Sequence, residues 1–222
     1  MRSCCDRLLL LLDLDVRLVN TSARMQLSRM EAYLKRLPDG LDSYPTVLQQ
    51  AAVFETFIQG AGIHHYRDQL PEELARWVVD PPPAGSWVPE VKATATYLAC
   101  ADLCFASDDA YVQFAYRANR KLITGPLYLI LFHLLGPRRI CTGAAARWEQ
   151  MHRGSTLSQV EVTNSTFHLS LQTPEHHVPP LIARCYGTAI QAALEVAGGD
   201  SVFVSTAMPT PSVVELTGSW VP

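Results

Sequence analysis

Along this chain the spacing of apolar side chains changes near residue 155, from a period of roughly 3.6 to a period of roughly 2. Before it the segments read as helices. "RMEAYLKRLPDG" is a short one stopped by Pro38 and Gly40. "YPTVLQQAAVFETFIQG" is a longer one with Val47, Ala51, Phe54 and Ile58 on one stripe and Gly60 at its exit. "LPEELARWVVD" is opened by Pro71, with Glu72 and Glu73 in a first turn that favours anions. Pro81, Pro82, Pro83, Ala84 and Gly85 cannot continue a helix, so they mark the best candidate boundary in the chain.

Beyond that connector, Ser86 is expected to cap a helix from about Trp87 to Phe105. In "SDDAYVQFAYRANRKL" Ser107 is the cap, Asp108 and Asp109 sit at the positive end of the dipole, and Arg117, Arg120 and Lys121 sit at the negative end. Its expected buried stripe is Tyr111, Phe114, Ala115, Ala118 and Leu122. "GPLYLILFHLLG" is apolar nearly all round and reads as a central buried helix, opened by Pro126 and closed by Gly136; Pro137 opens a further helix to about His152. From Leu157 the period is that of strands. "LSQVEVTN" and "TFHLSLQT" flank an Asn164-Ser165 turn, "PLIARCYGTAIQAALEVAGG" is a helix, and "SVFVSTAM" and "SVVELTGSW" form a second hairpin around Pro209 and Pro211. The expected fold is α+β, an N-terminal helical layer followed by a ββαββ, mostly antiparallel four-stranded sheet. The units are residues 1–24 as a disordered or mis-annotated extension, 25–80 as a helical segment, and 86–222 as a ligand-binding-like α+β domain forming one compact unit with 25–80.

Composition narrows the picture. The 222 residues suffice for a real core, and eighteen basic against twenty-one acidic side chains give a net charge of −3. That balance argues against a nucleic-acid partner. The opening apolar run is cut by Asp13 and Asp15 before a signal h-region or a membrane span develops, so Met25 or Met30 is the natural start and no membrane role is expected. Six cysteines without framework spacing point to a reduced compartment, the cytoplasm.

Ordered along the chain, "DDAYVQFAYRANRKLITGPLYLILFHLLGPRR", "RWEQMHRG" and "AIQAALEVAGGDSVFVSTAM" with the final "ELTGSW" resemble an uncharacterised paralogous family known mainly from myxobacteria. Its members share a Gly-Pro-Arg-Arg segment after an apolar helix and end on a strand closing in Trp; "LPDGLDSYP" fits the same kind of protein. The resemblance covers roughly residues 86 to 221 and implies a fold, with no assigned activity. The element order is also remotely similar to four-vinyl-reductase-type and haem nitric-oxide-binding domains. In the latter a proximal histidine follows a helix just before the first strands, the place held here by His152. The Tyr-x-Ser-x-Arg motif that grips the haem propionates in those proteins is absent from "LIARCYG".

Candidate chemistry centres on Arg138, Arg139, Arg147 and Arg153. Seven basic residues and one acidic residue, Glu149, lie between Arg117 and Arg153, so the remainder of the chain is markedly acidic. Arg138 and Arg139 stand at a helix N-terminus, where the dipole disfavours cations by about 0.3 to 1 kcal/mol, and an anion or acidic partner would relieve that. At 100° per residue Ile140, Ala144, Trp148 and Met151 share the buried side, Arg139 and Arg153 oppose it, and Arg147 lies at the border. The four arginines therefore read either as a solvated face or as contacts for an anionic ligand, an acidic protein or a second copy of the chain.

His152, bordering the Trp148 stripe, is expected to bond a backbone carbonyl; it is the one haem candidate. His64-His65 and His176-His177 read as surface pairs, and Cys100 with Cys104 as core, so no metal site is expected. The tryptophans read as core. No nucleophile with an attendant base is in evidence. The reading is a non-enzymatic cytoplasmic ligand-binding or regulatory protein with no cofactor; the alternatives are an interaction module using the basic segment, which includes a homodimer, and a haem-based gas sensor.

Overall fold

The computed structural model describes residues 26–124 and 126–221, the side chains of residues 126–133 excepted. The expectation for residues 1–24, and that of a buried face on "GPLYLILFH", fall outside what is described. The helices are α1 (Ser28–Leu34), α2 (Ala51–Ala61), α3 (Glu72–Val79), α4 (Glu90–Cys104), α5 (Asp108–Ile123), α6 (Pro126–Thr142), α7 (Ala144–Met151) and α8 (Pro180–Val196). The strands are β1 (Leu48–Gln50), β2 (Trp87–Pro89), β3 (His152–Arg153), β4 (Thr156–Val162), β5 (Thr166–Gln172), β6 (Asp200–Thr210) and β7 (Val213–Val221).

The α+β reading holds. The last four strands form one antiparallel sheet in the order β4-β5-β7-β6, with α8 as the single helix between the two hairpins. Alternation does the work expected of it: Phe167, Leu169 and Leu171 of β5 and Val214 and Leu216 of β7 are buried, while the residues between them face outward. Gly187 lets α8 lie close on β6, since a Cβ there would stand 2.9 Å from the Thr206 methyl. Those inner-face residues belong to the same hydrophobic cluster as Phe54, Ile63, Leu74, Val91, Leu98 and Tyr111 of the helical layer. β6 runs through Pro209, which the sequence placed in the connection. It is an edge strand, where a missing N–H is tolerated.

Three expected helices are shorter than their patterns. The stripe from Val47 to Ile58 is buried, but Leu48–Gln50 is a strand and the helix starts at Ala51. Likewise the helix expected from Trp87 starts at Glu90; the Ser86 hydroxyl donates to the Pro83 carbonyl and caps nothing. The helix expected to run unbroken from Pro137 to His152 stops at Thr142 and restarts at Ala144, and Met151, assigned to its buried side, is exposed. Gly136 does break α6, with φ 70° and ψ 164°, and Ser107 does cap α5 by accepting from the Ala110 N–H.

What shortens the first two helices is a second, three-stranded sheet, β2-β1-β3, invisible in the periodicity. Its strands have two or three residues each, too few to show alternation. Gln49 lies opposite both Val88 and His152, and its buried side-chain amide donates to the Tyr97 hydroxyl at 2.7 Å. Gly154, with φ 76° and the Thr46 carbonyl 2.8 Å from where a Cβ would stand, turns the chain from this sheet into β4. Both ends of the little sheet thus lead straight into the functional candidates.

Candidate functional site

The small sheet delivers two groups to one place. β2 ends at Pro89, so Glu90 is the first residue of α4 and its carboxylate lies at the positive end of a fifteen-residue helix. It is 1 % exposed. From β3 comes His152, whose Nδ1 is 3.2 Å from Glu90 Oε1. The Tyr186 hydroxyl of α8 donates to the same oxygen at 2.9 Å. On the other side His177, also 1 % exposed and carried by the segment before α8, places Nε2 3.6 Å from Glu90 Oε2. That is an ion-pair distance and too long for a hydrogen bond. Among the described residues Glu90 Oε2 and both ring nitrogens of His177 have no hydrogen-bond partner.

Packing fixes the parts of this node. The His152 ring stacks on Trp148 with centroids 3.7 Å apart and planes at 8°, while Tyr186 meets Trp148 edge-on. Trp148 Nε1–H donates to the Ser155 hydroxyl at 3.0 Å. Tyr33 of α1 donates to the His177 carbonyl at 3.0 Å. Burial alone would raise the Glu90 carboxyl; the charge of His152 and the polar contacts of both histidines outweigh it and hold the group well below the usual carboxylate range. Tyr186 moves the other way, raised by burial and by the neighbouring Glu90 charge.

Two sequence expectations are corrected here. His177 is buried rather than superficial, and His152 faces a carboxylate rather than a backbone carbonyl. Glu90, Tyr33 and Tyr186 were not singled out at all. A glutamate in a first turn has the pattern of a solvated, dipole-favoured residue, and only the tertiary arrangement places it inside. His64 and His65 are exposed as expected, and Cys100 is core. Burial raises the Cys100 thiol and pushes those of Cys104 and Cys141 up to about 11 and about 12. None of these three is thereby prepared as a thiolate nucleophile. Among the described residues no cluster of His, Cys, Asp or Glu is placed to hold a metal ion.

The four arginines are spread over three elements. Arg138 and Arg139 are exposed after the Gly136 break. Arg147 turns back to donate to the Ile140 carbonyl at 2.8 Å and the Arg139 carbonyl at 3.3 Å, closing the end of α6. Arg153 lies over the Trp87 ring, 3.9 Å from its centroid.

A cleft of about 500 Å3 opens elsewhere, between α1, residues 176–181 and the β6–β7 turn. Tyr33, Leu98, Val178, Leu181 and Met208 give it an apolar lining, with Arg29, Arg36 and His176 as its basic groups. One wall is the chain that carries His177: the His176 N–H donates to the Pro211 carbonyl, and the Tyr44 hydroxyl to the Glu175 carbonyl. Tyr33 both lines the cleft and holds the His177 carbonyl, so the buried node and the cleft share a wall. A smaller cleft of about 360 Å3 lies by Ile58, His64, Arg67 and Val79. Neither cleft is lined by any of the four candidate arginines or by His152.

No family model and no curated protein matches the chain. Among solved structures, a mutant of the T. Tengcongensis H-NOX protein superposes with a TM-score of 0.45 at 10 % identity, covering 78 % of this chain and 98 % of that one. A second, described as probing heme distortion in the H-NOX family, gives 0.43 at 9 % identity, covering 78 % and 95 %. No helix among the described residues is long and apolar enough to cross a membrane.

Proposed function

We propose that this is a non-enzymatic ligand-binding or regulatory protein that takes a small molecule in the cleft between α1, residues 176–181 and the β6–β7 turn. One observation carries the reading: a cleft of about 500 Å3, within the usual range for small-molecule sites, lies where the helical layer meets the sheet, with apolar side chains in its lining and Arg29, Arg36, His176 and Asp108 as its polar groups. The buried node supports a structural role for the strongest polar cluster. Its groups are turned on one another, and neither cleft reaches Glu90 or His152. Kinship with the myxobacterial paralogous family and a cytoplasmic location are part of the same proposal; the four cysteines among the described residues are unpaired, which suits a reduced compartment.

Haem is not the ligand we propose. His152 has one face covered by Trp148, its Nδ1 committed to Glu90, and a side chain only 9 % exposed. These residues do not fit an axial ligand in an open slot.

The test is a metabolite screen read by thermal shift, run on the protein and on Ala32→Trp, which fills the cleft from an exposed position on α1. A hit at a concentration about 100 times its Kd stabilises by about 2.7 kcal/mol, which should raise Tm by several degrees in the parent and not in the variant. Hits that stabilise both proteins equally would place the ligand elsewhere. A second reading rests on Arg138 and Arg139, exposed close to Leu134, itself 75 % exposed: this strip would meet an acidic protein or a second copy. Association that weakens as salt rises from 0.05 to about 0.5 M, where screening shortens to a few ångströms, would favour it.

A further inference from the structure

Resting on that reading of the cleft, we propose that its ligand is an amphipathic monoanion, a small molecule with an apolar body and one carboxylate or phosphate-type headgroup, and that Arg36 is its counter-ion. The charges around the cleft are unequal. Arg29 is already taken up by two carboxylates: it donates to Asp102 at 2.8 Å through Nη1 and pairs with Asp108 at 2.6 Å through Nη2. The buried Asp102 carboxylate also accepts the Arg29 and Met30 backbone N–H groups at the start of α1. Arg36, in the turn just past the end of α1, has no carboxylate within ion-pair distance among the described residues, and it is exposed at the cleft. It is the arginine of the cleft that has no carboxylate partner among the described residues.

The Tyr33 hydroxyl is spent on the His177 carbonyl and the Asp108 carboxylate on Arg29, which leaves the His176 ring as a second polar side chain of the lining that an anionic head could meet beside Arg36. The interior offers Leu98, Val178, Leu181 and Met208, which take methylenes or rings and reject a second charge. A cationic or zwitterionic molecule would bring a positive group beside Arg36 with no free carboxylate to receive it. An uncharged one would leave the guanidinium to water alone. A single anionic head on an apolar body satisfies both halves of the cleft, with Arg36 able to hold it through two parallel N–H bonds.

The experiment titrates the full chain with decanoate, decyl phosphate, 1-decanol and decylamine, each below its aggregation threshold, by calorimetry. Decanoate or decyl phosphate should bind, and the two together report whether the site prefers a planar or a tetrahedral head. Arg36→Gln should weaken that binding about tenfold, as expected for losing a charge-assisted hydrogen bond, and Arg36→Lys should restore part of it. Equal binding of 1-decanol or decylamine, or an affinity indifferent to Arg36→Gln, overturns the anion and leaves the cleft as a binding site. Binding of none of the four overturns this inference as well; the cleft reading then stands or falls on the screen with Ala32→Trp.

Discussion

Glu90→Gln should destabilise the protein by about 3 kcal/mol at pH 7, the upper end for hydrogen bonds to a buried charged group. The side chain keeps its shape but loses the charge that faces His152 and His177. For a chain of this length the change lowers Tm by roughly 6 to 12 °C. The pH dependence follows from the direction of the Glu90 shift. The folded carboxyl is held below its unfolded value, so the unfolded chain binds the proton first. Its stabilisation is complete above about pH 5 and is lost as pH falls through the unfolded value near 4.3 and down towards the folded one. Urea denaturation of parent and variant at pH 7 and pH 4 should therefore give a gap that narrows on acidification. A gap that is equal at both values would mean that the charge on Glu90 is not what stabilises the fold.

Gly218→Ala should cost about 2 to 3 kcal/mol, at the upper end of what overpacking a core imposes. Gly218 lies in β7 between Phe167 of β5 and Val204 of β6. A Cβ added there would stand 2.3 Å from the Phe203 carbonyl oxygen and 2.5 Å from the Phe167 ring. The first neighbour is backbone and cannot swing aside, so the strand pairing must open. Because the buried Phe167 ring of β5 must shift as well, the damage should centre on the β5-β7-β6 pairing around Gly218, away from the β6–β7 turn. Chemical denaturation measures the loss, and far-UV circular dichroism should show the remaining structure intact. A variant as stable as the parent would contradict the close approach at this position.

Most of the fold was legible because the long elements carry long patterns. β5 alternates over seven residues, α5 carries its own cap and charge gradient, and Gly136 and Pro137 punctuate α6 as glycine and proline must. The site was not legible, for the opposite reason. β1, β2 and β3 are set by pairing between residues about forty and one hundred positions apart, and three residues cannot display a period. Glu90 and His177 are buried by that pairing and by the wall before α8, while their local sequence is that of a helix start and a loop. The basic run was conspicuous in sequence for its composition, yet Arg147 caps a helix end and Arg153 lies on Trp87, two local uses that composition cannot distinguish from a shared ligand.

The node and the cleft are joined through the chain between β5 and α8. His177 points into the node, His176 and Val178 line the cleft, and Tyr33 bonds the carbonyl between them. A buried carboxylate would thus hold the shape of a binding wall it never touches. Amide hydrogen exchange, comparing the parent with Glu90→Gln at pH 7 under conditions where both are folded, tests this most directly. The His176 and His177 amides, bonded to the Pro211 and Pro174 carbonyls, should exchange at least about tenfold faster in the variant, as a local loss of 1.4 kcal/mol would give, while β5 and β7 keep their relative protection. Unchanged exchange at His176 and His177 would contradict the account.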